Sequence, residues 1–265
     1  EVKKYSKSVT KEDIDKYQLI NQSINEKEIQ GHPFDFIYRF TTNFNHHNPY
    51  ELSENDFLLL TISRAYKKTF KRDIIYEMES FGRDESIANV NETIGWFTTI
   101  YPMLVTSSDQ DTSFDIINDL YNIKKSTLDN KHLGINYLLA SYYLKQIAFK
   151  HAPVTFNFLS DEFSYSNNLF KSVVFENDER LKSGQVNQKK ICYGISLNIS
   201  KNGNKYIISG SCPSHTYLSD KYDEFLKSIA REAEKINKVI NEKTYIYQLY
   251  EEPLGIYLDE KINLK

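Results

Sequence analysis

Long apolar runs and an excess of charge are both missing from this 265-residue sequence. No apolar stretch approaches the ~20 residues that cross a bilayer, and Glu1-Val2-Lys3-Lys4-Tyr5 is not followed by the apolar core of a signal peptide. We therefore expect a soluble, cytoplasmic protein with no membrane partner. The formal net charge is −3, from 33 basic and 36 acidic residues, so the basic surplus typical of nucleic-acid-binding proteins is absent.

Cysteine is scarce as well. Cys192 and Cys212 are too few for a disulfide framework. They flank a predicted hairpin with an Asn202-Gly203 turn, which would pair residue 192 with residue 213 and place the two sulfurs on opposite faces. A bulge could bring the sulfurs together, but two buried thiols are the favoured interpretation. Internal repeats and low-complexity linkers are absent too.

The composition is that of a globular protein, with 40% hydrophobic and 14% aromatic residues. Apolar periodicity and capping residues predict both helices and strands. The predicted helices cover about 10–19, 57–70, 114–123, 134–147 and 221–241. The predicted strands cover 2–9, 73–79, 101–105, 154–159, 189–200 and 205–212.

Residues 21–53 are polar and poorly periodic. They are predicted to be an irregular insertion with a short helix near Pro33 to Phe40. Strands that alternate with helices, together with one hairpin, predict an α/β fold of the mixed (α+β) kind, in which a mixed β-sheet is flanked by helices.

The segment from residue 76 to residue 102 is the strongest functional signal. It contains a carboxylate at the end of a strand, Glu79, then Gly82, the only tryptophan, Trp96, and a Tyr101-Pro102 pair. A carboxylate, a glycine that permits close backbone approach and an aromatic cluster within about 20 residues are unusual in an ordinary core. This segment is therefore predicted to belong to an active site.

Five motifs in order support a family resemblance. They are Asn-Asp-Phe-Leu-Leu-Leu-Thr (55–61), Glu-Ser-Phe-Gly-Arg-Asp (79–84), Thr-Ile-Gly-Trp-Phe-Thr-Thr-Ile-Tyr-Pro (93–102), Lys-His-Leu-Gly-Ile-Asn-Tyr (131–137) and Val-Thr-Phe-Asn-Phe-Leu (154–159). In order and spacing they resemble the C-terminal lobe of epimerization and condensation domains of nonribosomal peptide synthetases. These domains have the chloramphenicol acetyltransferase-like fold.

The residues of two motifs favour the epimerization branch of the family. The family's Glu-Gly-His-Gly-Arg-Glu is matched at Glu79, Gly82 and Arg83, with Ser80 and Phe81 as departures. The family's Thr-Val-Gly-Trp-Phe-Thr-x-x-Tyr-Pro is matched almost throughout, whereas residues 131–137 only partly match Gly-x-Gly-Tyr-Gly.

The resemblance implies roles for individual residues. Glu79 would be the acid or base that moves the proton α to a thioester carbonyl, facing a histidine of the other lobe. Gly82, Trp96 and Tyr101 would line the substrate tunnel, and Asn157 would contact substrate. Structural alternatives remain open: Glu79 paired with a nearby cation, Trp96 and Tyr101 packed at an interface, and Asn157 bonded to backbone.

The family's catalytic His-His-x-x-x-Asp-Gly motif, which the N-terminal lobe supplies, does not occur here. His46-His47 resembles only its first two residues, and we expect this pair to be solvent-exposed with no metal bound. The chain is thus expected to be a single lobe, residues 1–265 with a tail at 242–265, and inactive alone.

The partners implied by the resemblance are the N-terminal lobe, other synthetase domains and a peptidyl carrier protein. That carrier would bear the 4′-phosphopantetheine arm, and the chain itself would bind no cofactor. Three alternatives remain: a condensation-domain lobe, a catalytically silent docking module and an acyltransferase of the same fold.

Overall fold

A computed structural model describes residues 9–24, 32–81, 94–95, 98–129, 133–159, 194–214 and 221–241. The described strands form one mixed sheet in the order β1-β6-β5-β4-β2-β3. Strand β4 is parallel to β2 and to β5, and the other neighbouring pairs are antiparallel. The strands are β1 His32–Thr41, β2 Ile74–Phe81, β3 Thr98–Val105, β4 Val154–Leu159, β5 Ile195–Asn202 and β6 Lys205–Ser214.

The helices begin where the sequence provides caps. Thr10 and Asp13 form a capping box, and the Ser53 hydroxyl accepts a hydrogen bond from the Asp56 backbone N–H. The helices are α1 Lys11–Ser23, α2 Glu54–Phe70, α3 Ser113–Asp129, α4 Leu133–Leu138 and α5 Tyr222–Asn241, and α4 continues as a π-helical turn, Leu139–Tyr143. No described helix is both long enough and apolar enough to span a membrane.

One face of the sheet, the core face, packs against α2. Every residue of α2 from Phe57 to Tyr66 is buried, because this helix contacts the sheet, α3 and α5. The Tyr76 hydroxyl of β2 donates to the Leu59 carbonyl oxygen of α2 at 3.1 Å. Helix α5 buries one stripe of apolar side chains, among them Phe225, Ile229, Ile236 and Ile240.

Three helices meet at a buried ion cluster around Arg64 of α2. Its guanidinium donates to Glu232 Oε2 of α5 at 3.1 Å and to the Asp119 carboxylate of α3, and both acids are buried. Lys68 and Lys235 add further bonds to Glu232, at 2.7 and 3.1 Å. The cluster neutralises the buried charges and fixes the three helices relative to one another.

Most predicted elements are confirmed. The helices at 10–19, 57–70, 114–123 and 221–241 and the strands at 73–79, 101–105 and 154–159 all appear with bounds within a few residues, except that α3 extends to Asp129. The fold class, a mixed sheet flanked by helices, is also confirmed. The strand predicted at 2–9 and the tail at 242–265 are not covered by these ranges, apart from Val9.

The helix predicted near Pro33 to Phe40 is wrong, because these residues belong to edge strand β1. Phe36, Tyr38 and Phe40 alternate with exposed Ile37 and Arg39, and this period of two matches a strand with one buried face. The antiparallel ladder with β6 supplies the backbone hydrogen bonds. Within 21–53, α1 also continues to Ser23, so the irregular part of the predicted insertion includes 42–53.

Two smaller differences concern element ends. The helix predicted at 134–147 ends earlier, at the π-helical turn that closes with Tyr143. The hairpin turn is Gly203-Asn204 rather than Asn202-Gly203, because Asn202 pairs with Lys205 and Gly203 adopts a positive φ of 61°. Cys212 is buried, as expected, whereas Cys192 lies outside the described residues.

Candidate active site

The second face of the sheet, the open face, is polar over its central strands. Along β4 and β5 the side chains alternate between buried apolar residues on the core face and Thr155, Asn157, Ser196, Asn198 and Ser200 on the open face. Parallel strands are normally covered on both faces, and their sequences are therefore nearly continuous apolar runs. A central parallel pair with a solvated polar face is therefore a candidate binding surface.

Glu79 lies on this open face near the carboxyl end of β2, and its side chain is exposed. The last paired positions of the parallel β2–β4 ladder are Met78 and Phe156, so Glu79 and Asn157 are the next residues along their strands. Asn157 is partly buried and pairs with Asn198 of β5. In α/β sheets, ligands commonly bind where the carboxyl ends of parallel strands meet, and this edge is where the structure brings Glu79 and Asn157 together.

A second carboxylate, missed in the sequence, lies two residues earlier on the same face. Glu77 is buried, and its Oε2 is 2.9 Å from His151 Nδ1 and accepts the Ala152 backbone N–H at 3.2 Å. The hydrogen bond with Glu77 raises the pKa of the His151 imidazole, against burial, which lowers it. The sequence did contain one sign of this residue, because Glu77 is an acid within the otherwise apolar strand Ile74–Met78.

The Glu77–His151 pair joins β2 to the residues just before β4. Beside it, Ile75 packs with Ile20, Ile24 and Ala152, where α1 covers the start of the open face. The pair therefore holds the beginning of β4 against β2. The parallel β2–β4 ladder begins beside this pair. The Glu77–His151 pair therefore also helps to set the register that brings Asn157 level with Glu79.

Tyr101 lies on the other side of the sheet. It pairs with Met78 in the β2–β3 ladder, and residues paired directly across a ladder share a face. The Tyr101 side chain is buried, and burial raises the pKa of its hydroxyl to about 12. The structure thus does not bring Tyr101 to the face that carries Glu79.

The remaining sequence candidates contribute less to this geometry. Gly82 and Trp96 fall in parts of the chain whose structure is not described. His46 and His47 are exposed, and His46 Nε2 lies 3.4 Å from Lys201 Nζ. Among the described residues, no three His, Cys, Asp or Glu side chains lie close enough together to hold a metal ion.

A mixed sheet backed by helices, with an exposed carboxylate on a polar face, defines a class of α/β protein with a candidate proton-transfer or binding surface. The chain belongs to the Condensation domain family, whose family model matches residues 3–248. The resemblance drawn from the sequence motifs, to epimerization and condensation domains of nonribosomal peptide synthetases, is thereby confirmed.

Individual relatives agree with this family. One subunit of the linear gramicidin synthase of Brevibacillus parabrevis is 26% identical over 201 residues, 70% of this chain and 4% of that protein. Surfactin synthase subunit 1 of Bacillus subtilis is 33% identical over 129 residues, 44% of this chain and 4% of that protein. The chain thus spans only a small part of the length of these relatives.

The fold is also that of a solved epimerization domain. The epimerization domain from the third module of tyrocidine synthetase B superposes with a TM-score of 0.62 at 18% sequence identity. The match covers 90% of this chain and 58% of the solved domain. At this identity the likeness establishes the fold, and the chain spans somewhat more than half of that domain.

Proposed function

We propose that this chain is the C-terminal lobe of an epimerization-type domain of a nonribosomal peptide synthetase. In this role it contributes Glu79 as an acid or base to the inversion of an amino-acid Cα. The substrate is an aminoacyl or peptidyl thioester on the 4′-phosphopantetheine arm of a peptidyl carrier protein. The observation that carries the proposal is the exposed Glu79 carboxylate on the polar open face, within a motif that resembles the epimerization signature.

The chemistry requires a positioned proton acceptor. A thioester carbonyl acidifies the α C–H, so a carboxylate can accept that proton while the electron pair moves into the carbonyl as an enolate. Inversion requires that the proton return from the opposite side of Cα. The family resemblance assigns that second group to a histidine of the N-terminal lobe, so the site is shared between two lobes.

The neighbouring residues have supporting roles in this proposal. The Asn157 side chain, level with Glu79, donates a hydrogen bond from its NH₂ to the thioester carbonyl oxygen or accepts one from the adjacent amide N–H. Gly82 and Trp96 form part of the tunnel wall in this proposal, and only the family resemblance supports that placement. For Tyr101, burial on the core face supports the packing role rather than a tunnel contact.

The test is exchange of the substrate α proton with heavy water. In a protein that joins this chain to its N-terminal lobe, we expect deuterium to enter a carrier-loaded aminoacyl or peptidyl thioester. Glu79→Gln should lower the exchange rate by about 10²- to 10⁴-fold, the usual contribution of a general acid or base. The 265-residue chain alone should show no turnover.

Glu224→Gln is the matched control, because Glu224 is an exposed acid on α5, away from the open face. It should exchange at the parent rate. Full exchange in the Glu79→Gln protein would exclude the proposed role of Glu79.

A condensation-domain lobe is the second candidate, favoured by the family model itself, which is that of the Condensation domain. It predicts peptide-bond formation between two carrier-bound substrates and no α-proton exchange in the joined protein. A catalytically silent docking module predicts neither activity. The same two-lobed protein, assayed for both reactions, separates the three.

A further inference from the structure

Five short, uncharged polar side chains lie together on the open face of β5 and β6. We call them the polar strip: Ser196, Asn198, Ser200, Ser209 and Ser211. The antiparallel register pairs Ser196 with Ser211 and Asn198 with Ser209, so the strip is two strands wide. On the core face, the same two strands bury Ile195, Leu197, Ile199, Tyr206, Ile208 and Cys212.

The strip has hydrogen-bonding groups that its own contacts satisfy only weakly. Among the described residues, Asn198 Nδ2 donates to Ser196 Oγ at 3.5 Å, and Ser209 Oγ donates to the Asn198 carbonyl oxygen at 3.4 Å. Both distances exceed the usual range of 2.5–3.2 Å. The Asn198 amide and the serine hydroxyls therefore keep capacity to bind another molecule in place of water.

The geometry of the strip suits an extended peptide. Side chains two residues apart on one strand, such as Ser196, Asn198 and Ser200, are separated by about 6.6–6.8 Å. This is also the two-residue repeat of an extended chain, so every second amide of a peptide lying along β5 would meet the next polar side chain of the strip. The short side chains keep the surface shallow enough for a backbone to approach.

The strip also continues the candidate active site. Asn198 pairs with Asn157 of β4, which is level with Glu79, and Ser209 follows Asn198 on β6. One row of side chains thus runs from the proposed proton-transfer group into the polar strip. None of the side chains in that row beyond Glu79 is charged.

We infer that the polar strip binds the backbone amides of the peptide attached to the thioester. This inference rests on the proposed function and specifies its substrate as a peptidyl chain rather than a single aminoacyl group. The strip itself contains no cation, and Ile207 separates it from Arg39 of β1, so the strip is a better match for a neutral ligand than for a phosphate or an acidic partner. The pantetheine arm also contains amides, so the test must separate it from the peptide.

The experiment titrates two probes into the ¹⁵N-labelled 265-residue chain and follows backbone amide shifts by NMR. The first probe is the N-acetylcysteamine thioester of N-acetyl-Ala-Ala-Ala, and the second is S-acetylpantetheine. We expect the tripeptide probe to bind more tightly and to shift residues of β5 and β6. Asn198→Leu should weaken its binding by about three- to tenfold, as expected for one or two lost hydrogen bonds.

Asn122→Leu is the matched control, because Asn122 is an exposed asparagine on α3. It should leave the affinity unchanged. Ser209→Val is a second variant of the strip, chosen because valine favours strand structure. It should also weaken binding of the tripeptide probe. Circular dichroism of each variant checks that the fold is retained.

Three outcomes would overturn the inference. They are equal binding by the Asn198→Leu and Asn122→Leu proteins, tighter binding of S-acetylpantetheine than of the tripeptide, and a concentration-dependent dimer that Asn198→Leu abolishes. The test does not require turnover. Tripeptide binding without α-proton exchange in the two-lobed protein would refute the role of Glu79 alone, and exchange without tripeptide binding would refute the strip alone.

Discussion

The two faces of the sheet alternate along the same strands but differ in burial and chemistry. On β5, Leu197 is fully buried against the helices, and the next residue, Asn198, is exposed. The core face is stabilised by apolar burial, and the buried ion cluster at Arg64 lies next to it. The open face contributes little burial at its centre, so its side chains are available for binding and chemistry.

The difference indicates how one layer of backbone can serve both stability and function. A side-chain period of two assigns every second residue of a strand to each face. Substitutions on the core face should therefore change the free energy of unfolding, and substitutions at the centre of the open face should change binding or exchange at nearly constant stability. Each prediction below tests that division.

The largest stability effect should come from the ion cluster next to the core face. Arg64→Ala would leave the buried carboxylates of Asp119 and Glu232 without their shared partner. Removing one partner of a buried ion pair costs about 3–5 kcal/mol, and we expect that loss in urea unfolding. Arg231→Ala, at an exposed position on α5, is the control and should stay within ~0.5 kcal/mol of the parent. Equal values for the two variants would show that Glu232 and Asp119 relax to solvent.

The sharpest comparison uses two adjacent residues of β5. Leu197→Ala should lower the free energy of unfolding by about 2–5 kcal/mol, because it opens a cavity in the core. Asn198→Ala, one residue along and on the open face, should change it by less than ~0.5 kcal/mol. Urea denaturation of both proteins measures the contrast. A large loss in the Asn198→Ala protein would mean that the open face is structural after all.

Local patterns predicted much of the core face. The apolar stripes of α2 and α5, the caps at Thr10 and Ser53 and the strand at 154–159 are set by neighbours within a few residues. Edge strand β1 was missed although Phe36 and Tyr38 alternate with polar or exposed residues. Its ladder partner, β6, lies more than 160 residues away in sequence, and that pairing supplies its backbone hydrogen bonds.

The candidate site was only partly predictable, for a related reason. Glu79 and Asn157 were found through motifs, but their adjacency depends on the parallel pairing of β2 with β4. The contact between Glu77 and His151 joins residues 74 positions apart, so no local pattern marks it. The polar strip depends likewise on which face of the hairpin is covered, and tertiary packing decides that.

The smallest expected effect tests the Glu77–His151 contact at the border of the open face. The His151 pKa is raised in the folded protein, so the stabilisation is fully present below the unfolded value of about 6.5 and is lost as pH rises through the folded pKa. His151→Gln should therefore cost about 1 kcal/mol near pH 5.5, since a partly exposed, charge-assisted hydrogen bond is lost, and less near pH 8.5. Urea unfolding at both pH values measures this gap, and His47→Gln, at an exposed loop histidine, is the control. A gap that stays constant with pH would mean that Glu77 binds the neutral imidazole, so that the contact would stabilise the border of the open face equally at both pH values.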